Sequence, residues 1–365
     1  MQVGLTPDQM QFRDVVERFM ADKSPPTEVR RLMESEQGYD SAVWLKLSQE
    51  VGLLGTHIPE ALGGFGFGHI EQGIVSEAMG RHLYCGPYFA SAVMAGYALL
   101  NGAEEAHQTR LLSAIASGEV IAAVVLDNLG DPSQVGRSLS DHQGRLSGTA
   151  PMVVDAHVAD LLLVIVQSAD GLALYEVDAG DAEIRPLDCL DPTRKLSAVT
   201  LRDAAAERLG VFSAADFTRY WDEMNTALAH EMIGGCDRLF TSTIEYMKMR
   251  VQFGRLIGSF QALKHRCADL LLELELAKAA TYQAARYLDT GEGQSYAPNM
   301  AKSLAADAYI AIAKAAIQLR GGIGFTWEED THLWFKRAKS SEVLLGTANW
   351  HREAMVKRME ETADV

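Results

Sequence analysis

RVQFGRLIGSFQ, Arg250–Gln261, closes a long helical run and is the stretch from which the rest of the chain is read. It gathers Arg250, Gln252, Phe253, Gly254 and Gln261 in one short segment. An arginine at a helix end offers a bidentate anion donor, the phenylalanine an aromatic wall, and the glycine a backbone that a ligand can approach closely. An arginine in that place also serves as a partner for the helix dipole, so the stretch alone decides nothing. A second glycine-rich element, QLRGGIGF at Gln318–Phe325, follows after another helical stretch.

Composition sets the outer bounds. At 365 residues the chain is long enough for two or three packed layers around a large core. Charged residues make up 22% and hydrophobic ones 48%, the balance of a soluble globular protein. A formal charge of -16 argues against nonspecific binding to nucleic acid or an anionic membrane, both of which need excess Lys and Arg. Cys85, Cys189, Cys236 and Cys267 are scattered with no metal-ligand spacing and read as free thiols of a reducing compartment. No apolar run follows an N-terminal basic region, and none approaches the roughly 18 residues of a membrane span. The expected location is the cytoplasm.

Helical periodicity dominates the first third. Thr6, Pro7 and Asp8 make a helix start, and Met10, Val15, Val16, Phe19 and Met20 recur at helical spacing until Pro25-Pro26. Further helices are expected at Ser41–Val51, Ile70–Gly80, Tyr88–Leu100 and Glu104–Ala116, with a glycine-punctuated loop, GLLGTHIPEALGGFGFG, after the first of these. From Gly118 the texture changes to short β-branched runs, VIAAVVL, LLLVIVQ, LALYEV and AVTL, which predict a small β domain. After Ser213 long helices return: Ala214–Met249, Gly258–Thr290, Pro298–Arg320 and Glu329–Glu361, the last broken near Gly346.

Helices, then a β domain, then a four-helix bundle is the order of the acyl-CoA dehydrogenase fold, and the chain resembles that family over nearly its whole length. The segments EYMKMRVQFGRLIGSFQALKHRCADL and QLRGGIGFTWEEDTHLWFKRA carry the resemblance most strongly, with the "GL-G-PE-GG-G" pattern of the early loop. The implied domains are 1–118 (N-terminal helical), 119–212 (middle β) and 213–365 (C-terminal four-helix bundle).

The resemblance implies FAD-dependent α,β-desaturation of an acyl-CoA thioester: a carboxylate takes the α-proton and the flavin takes the hydride from the β-carbon. It implies that Arg250, Gln252, Phe253 and Gln261, with Gln318, Gly321, Gly322 and Thr347, hold FAD. In the family the Arg-Phe-Gly and Gln-Gly-Gly elements reach the flavin of a neighbouring subunit.

The family's catalytic pattern, however, is broken here. Leu345 stands where many members carry the base before Gly346-Thr347, and Met224 stands where others carry it. Neither side chain can abstract a proton. Glu223 points about 100° away from the Met224 direction, while Glu231 returns to nearly the same face about 10 Å along the axis and is the one candidate for a displaced base; a buried ion pair is its other reading. The Thr-Glu-Pro, Gly-Ser-Asp and Trp-Ile-Thr stretches that cradle the flavin ring read VVLDNLGDPSQVG and PMVVDAHVA, in which Asp127, Asp131 and Ser133 read as surface turn residues. HEMIGG lacks the second histidine of a zinc motif, so no metal is expected.

What is kept would serve a neighbour's flavin and what is lost would serve its own. The chain therefore resembles the degenerate subunit of bacterial heteromeric acyl-CoA dehydrogenases of steroid side-chain degradation. The implied partners are an acyl-CoA at the level of the complex, a homologous catalytic subunit in a hetero-oligomer (a tetramer), and electron-transfer flavoprotein as acceptor. The alternatives are a self-sufficient homo-oligomer using Glu231, a flavin monooxygenase-like relative, and a purely structural or binding protein that has lost flavin altogether. Leu270–Leu276 and the Ala301–Ile317 helix are expected near subunit interfaces.

Overall fold

The computed structural model describes residues 4–363. Six α-helices come first: α1 (Pro7–Lys23), α2 (Pro26–Glu34), α3 (Ser41–Gln49), α4 (His69–Arg81), α5 (Gly96–Gly102) and α6 (Glu105–Ser117). Eight strands follow: β1 (Ala122–Val125), β2 (Leu139–Asp141), β3 (Arg145–Val154), β4 (Leu161–Ser168), β5 (Gly171–Asp178), β6 (Ala182–Pro186), β7 (Leu196–Ala205) and β8 (Glu207–Phe212). The long α7 (Ala214–Met249) leads through a hairpin, β9 (Val251–Gln252) and β10 (Arg255–Leu256), into α8 (Gln261–Thr290), α9 (Ala297–Arg320), α10 (Thr331–Val343) and α11 (Ala348–Ala363). The expected class, mainly helical with a small β domain, is what the chain adopts.

The start of α1 forms by a complete capping box: Gln9 N–H donates to Thr6 Oγ1 at 3.2 Å and Thr6 N–H donates to Gln9 Oε1 at 2.9 Å, with Pro7 in the first turn. Sequence reading stops this helix at Pro25-Pro26 and misses α2, because the proline that ends one helix also opens the next. The segment expected as one helix over Tyr88–Leu100 is a π-helix, Tyr88–Ala95, running into α5. All eight of its residues are buried, and Ser91 Oγ accepts from Ala122 N–H at the head of β1.

The chain divides into two compact units. One takes the N-terminal segment ending at Thr27, Gly73–Tyr84 and everything from Asn225; the other takes Glu28–Gln72 and Cys85–Met224. The second unit holds two sheets, β1-β4-β5-β8, with β1 parallel to β4, and the antiparallel β2-β3-β7-β6. Alternate residues Leu162, Val164 and Val166 of β4 join Ala123, Leu146, Tyr175 and Val199 in the core of this domain.

In the first unit, α9 packs against α8, α10 and α11. Its alanines explain the closeness: Ala301, Ala305, Ala308, Ala313 and Ala316 are all buried. Its apolar residues are largely spent inside the bundle, while Asp307, Lys314 and Gln318 form an exposed side. α4 and α7 meet backbone to backbone, and a Cβ on Gly80 would lie 1.8 Å from the Glu231 carbonyl oxygen and one on Gly234 1.9 Å from that of Glu77. Only glycine permits that approach.

Candidate flavin site

Arg250 leaves the end of α7 into a hairpin whose two-residue turn is Phe253-Gly254. Both have positive φ, 54° and 76°, the requirement of a type I′ turn. Glycine meets it freely; for phenylalanine it costs about 1–2 kcal/mol, a strain that points to function. The ring is 91% exposed at the hairpin tip. Phe260 steadies the hairpin, meeting Phe253 edge-on at 6.3 Å and carrying the Arg255 guanidinium 3.9 Å from its centroid.

The glycine loop is brought to the same end of this unit. Met247, Ile257 and Cys267 form a small core on which Tyr246, Phe260 and Leu319 pack, and the Tyr246 hydroxyl donates to the Arg320 carbonyl at 3.4 Å. Arg320 is itself buried, donating to Thr243 Oγ1 at 2.6 Å and Ser242 Oγ at 2.9 Å. Gly321–Phe325 then forms a 3-10 turn in which Gly321 has φ 67°. A Cβ on Gly254, Gly321 or Gly322 would meet nothing within 4 Å, so backbone here is open to a ligand.

The side chains of Arg250, Gln252, Gln261 and Gln318 are exposed, and none makes a hydrogen bond or ion pair among the described residues. Arg250 does not cap its helix. The segment Tyr246–Ala268 contains Lys248, Arg250, Arg255, Lys264 and Arg266 and no acid, in a chain of charge -16. Unpartnered donors, open glycine backbone and an exposed aromatic ring fit the diphosphate and aromatic moieties of FAD.

Thr347 stands apart from this set. Its hydroxyl accepts from Trp350 N–H at 3.3 Å and so starts α11. The turn before it holds Leu345 fully buried at φ 59°. Lys302, fully buried, donates to the carbonyls of Gly346 at 3.1 Å and Glu342 at 3.5 Å. His351 Nε2–H donates to the Leu345 carbonyl at 2.9 Å, while its Nδ1 accepts from Asn299 Nδ2 at 3.1 Å. Burial, with the Lys302 ammonium adding to it, holds His351 down at about 3, so the ring is neutral and the tautomer fixed. Lys302 and Gln318 lie on one straight helix, about 24 Å apart along its axis. The Leu345–Thr347 turn and the Arg250–Gly322 cradle therefore cannot hold the same diphosphate.

Models of the acyl-CoA dehydrogenase N-terminal domain and C-terminal domain match residues 6–119 and 222–360. The chain belongs to the acyl-CoA dehydrogenase family. Acyl-CoA dehydrogenase IpdE2 of Mycolicibacterium smegmatis is 33% identical, covering 92% of this chain and 93% of that one. FadE27 of Mycobacterium tuberculosis is 32% identical over 92% and 93%. Among solved structures, the ChsE4-ChsE5 complex from Mycobacterium tuberculosis matches with a TM-score of 0.90 at 28% identity, covering 99% of both chains. The Tcur3481-Tcur3483 steroid ACAD matches at 0.88 and 26%, covering 98% of this chain and 99% of that one.

Acyl-CoA dehydrogenases are FAD-dependent oxidoreductases, and the chemistry of this family member turns on its carboxylates. Met224 and Leu345 are fully buried aliphatic side chains. Glu223 accepts from Asn101 Nδ2 at 2.7 Å and Arg219 Nε at 2.9 Å and lies 3.2 Å from His69 Nε2, so both of its oxygens are engaged. Glu231 is held 2.9 Å from Arg337, both nearly inaccessible. Asp127 is no surface turn residue: it is buried, and its two oxygens accept from Gly136 N–H at 2.6 Å and Ser138 N–H at 2.5 Å, closing its loop on itself. Asp131 and Ser133 do lie exposed and bond each other. At the Trp-Ile-Thr positions, Met152 is exposed while Val153 and Val154 are buried. Sequence reading gave Lys302, Asn299 and His351 no role; Lys302 stands out as a charge in an alanine-rich run, and nothing local marks the other two.

Proposed function

We propose that this chain is a subunit of a flavin-dependent acyl-CoA dehydrogenase that lacks a base of its own and completes the FAD site of a homologous catalytic subunit. The observation that carries this is the outward cradle, in which Arg250, Gln252, Gln261 and Gln318 bind nothing in their own chain. Arg250 would donate both guanidinium edges to the diphosphate, Gln318 one neutral N–H, and Gly321-Gly322 their backbone N–H groups. FAD, when bound, supplies the hydride acceptance that desaturation needs.

Among the described residues, neither family base position carries a carboxylate, and the two nearest carboxylates on α7 are engaged elsewhere. Both base positions are aliphatic, both oxygens of Glu223 are engaged by Asn101, Arg219 and His69, and the pairing of Glu231 with Arg337 favours a structural role over a displaced base. Its relatives include subunits of heteromeric complexes, which supports assembly with a catalytic homologue. The same reading carries the remaining expectations: domains at 1–118, 119–212 and 213–365, an acyl-CoA bound at the level of the complex, electron-transfer flavoprotein as acceptor, and a cytoplasmic location. Among the described residues no helix is long and apolar enough to cross a membrane.

Co-expression with the homologous subunit tests the proposal. The pure chain is expected to lack flavin and to leave acyl-CoA unchanged, while the complex carries FAD. A charged hydrogen bond contributes about 1.5–3 kcal/mol, so Arg250→Ala is expected to weaken FAD retention about ten- to a hundredfold, and Gln318→Ala by roughly 1 kcal/mol. Steady turnover by the pure chain, or full flavin occupancy in an intact Arg250→Ala complex, would overturn it.

A further inference from the structure

A buried cation lies beneath the glycine loop. Arg320, the last residue of α9, is nearly inaccessible, and its side chain folds back onto α7 instead of reaching outward. Nη1 donates to Thr243 Oγ1 at 2.6 Å and Nη2 to Ser242 Oγ at 2.9 Å, while Nε lies 3.5 Å from Glu329 Oε1. A planar fork suits two neighbouring hydroxyls in a way that a lysine ammonium does not. Tyr246, one turn further along α7, holds the same residue twice. Its ring centre is 5.5 Å from the guanidinium carbon, and its hydroxyl donates to the Arg320 carbonyl at 3.4 Å.

Both halves of the cradle meet at that tyrosine. Arg250 N–H donates to the Tyr246 carbonyl at 2.9 Å, so one residue of α7 touches Arg250 and Arg320 together. The loop wraps back on this anchor at Gly324, where a Cβ would lie 3.0 Å from Arg320 Cβ and 2.9 Å from the Ile317 carbonyl oxygen. Burial depresses Arg320, with Glu329 and Tyr246 opposing that and Arg238 adding to it. A guanidinium stays charged under such pressure, so the core carries this cation at a cost. The end of α9 does not need it, since Gly321 N–H already caps the Gln318 and Ile317 carbonyls.

We propose that Arg320 is a positioning residue: by tying the Gly321–Phe325 loop to Ser242, Thr243 and Glu329, it fixes Gln318 and Gly322 relative to Arg250 so that one diphosphate meets both. Arg320 itself touches no flavin. The inference rests on the flavin reading above and names what aligns the two halves of that site.

Two measurements test it. In the full-length chain without flavin, Arg320→Met should accelerate amide exchange over Gly321–Phe325 and leave the Val251–Leu256 hairpin unchanged. In the co-expressed complex the same change should raise the FAD dissociation constant about tenfold and abolish the separate effect of Gln318→Ala, while Arg250→Ala keeps its full effect. Ser242→Ala/Thr243→Val removes both acceptors from the α7 side and should uncouple Gln318 in the same way, so it decides the matter if Arg320→Met does not assemble. A role in stability alone would lower the melting temperature and leave the Gln318→Ala factor equal in both backgrounds, which overturns the proposal, as does unchanged exchange in the loop. Loss of FAD in Arg250→Ala with an additive Gln318→Ala sinks this proposal alone. No loss of FAD in Arg250→Ala sinks the flavin reading and this proposal with it.

Discussion

Arg337 Nη1 donates to Glu231 Oε1 at 2.9 Å, joining α10 to α7 through a pair that is buried on both sides. Removing one partner of such a pair leaves an uncompensated charge, which costs about 3–5 kcal/mol. Glu231→Ala is therefore expected to lower stability by that amount in denaturant titration. Glu231→Gln keeps an acceptor and should cost less. In the assembled complex, once folded, Glu231→Gln should turn over at the wild-type rate; a selective loss of turnover at unchanged stability would make Glu231 the base.

Acid should destabilise this protein from near neutrality downward. His57 is held at about 3 by burial, with His69 adding to it, and His351 at about 3 by burial and Lys302. The folded pKa lies below the unfolded 6.5 in both, so the unfolded chain binds more protons in the window between them and stability falls as pH drops from about 6.5 to about 3. Each histidine contributes a slope of about 1.4 kcal/mol per pH unit. His57→Phe should flatten the slope of unfolding free energy against pH by one proton, and an unchanged slope would show that His57 titrates normally.

The clamp on Leu345 can be released from α9. Lys302→Met keeps the buried stem but removes both donors to the turn, and each charged hydrogen bond is worth about 1.5–3 kcal/mol. Amide exchange in the segment from Glu342 to Trp350 should accelerate selectively. Unchanged protection would mean that the Gly346 N–H bond to Val343 O, at 3.3 Å, and the His351 bond to Leu345 O, at 2.9 Å, hold the turn without Lys302.

Phe253 should be a costly residue for folding. Asparagine tolerates a left-handed conformation better than phenylalanine, so Phe253→Asn is expected to raise stability by up to about 1 kcal/mol. The same change should weaken FAD retention in the complex, because the aromatic wall is gone. A variant that is less stable would show that the ring's contact with Phe260 outweighs the strain.

Much of this was legible in the sequence. The bounds of α7, Ala214–Met249, follow from unbroken helical pattern, and the start of α1 follows from Thr6-Pro7 and its capping glutamine, because caps and periodicity are written within a few residues. That neither family base position holds a carboxylate is legible too, since Leu345 and Met224 are side chains without a proton acceptor whatever surrounds them. The π-helix at Tyr88–Ala95 was not, because its register answers to burial against β1 rather than to its own apolar composition.

Tertiary structure decided what each polar group does. Glu231 and Arg337 lie 106 residues apart, and Lys302 and Gly346 lie 44 apart. No local window says that the first carboxylate is neutralised or that the second turn is pinned. Likewise Arg250 and Gln318 were nameable from their motifs, but that both stand exposed and unpartnered, while Thr347 sits at the far end of α9, depends on where the helices cross. Side-chain type and spacing are properties of the chain; partnership depends on which helix faces pack together, and that is settled only when the core closes.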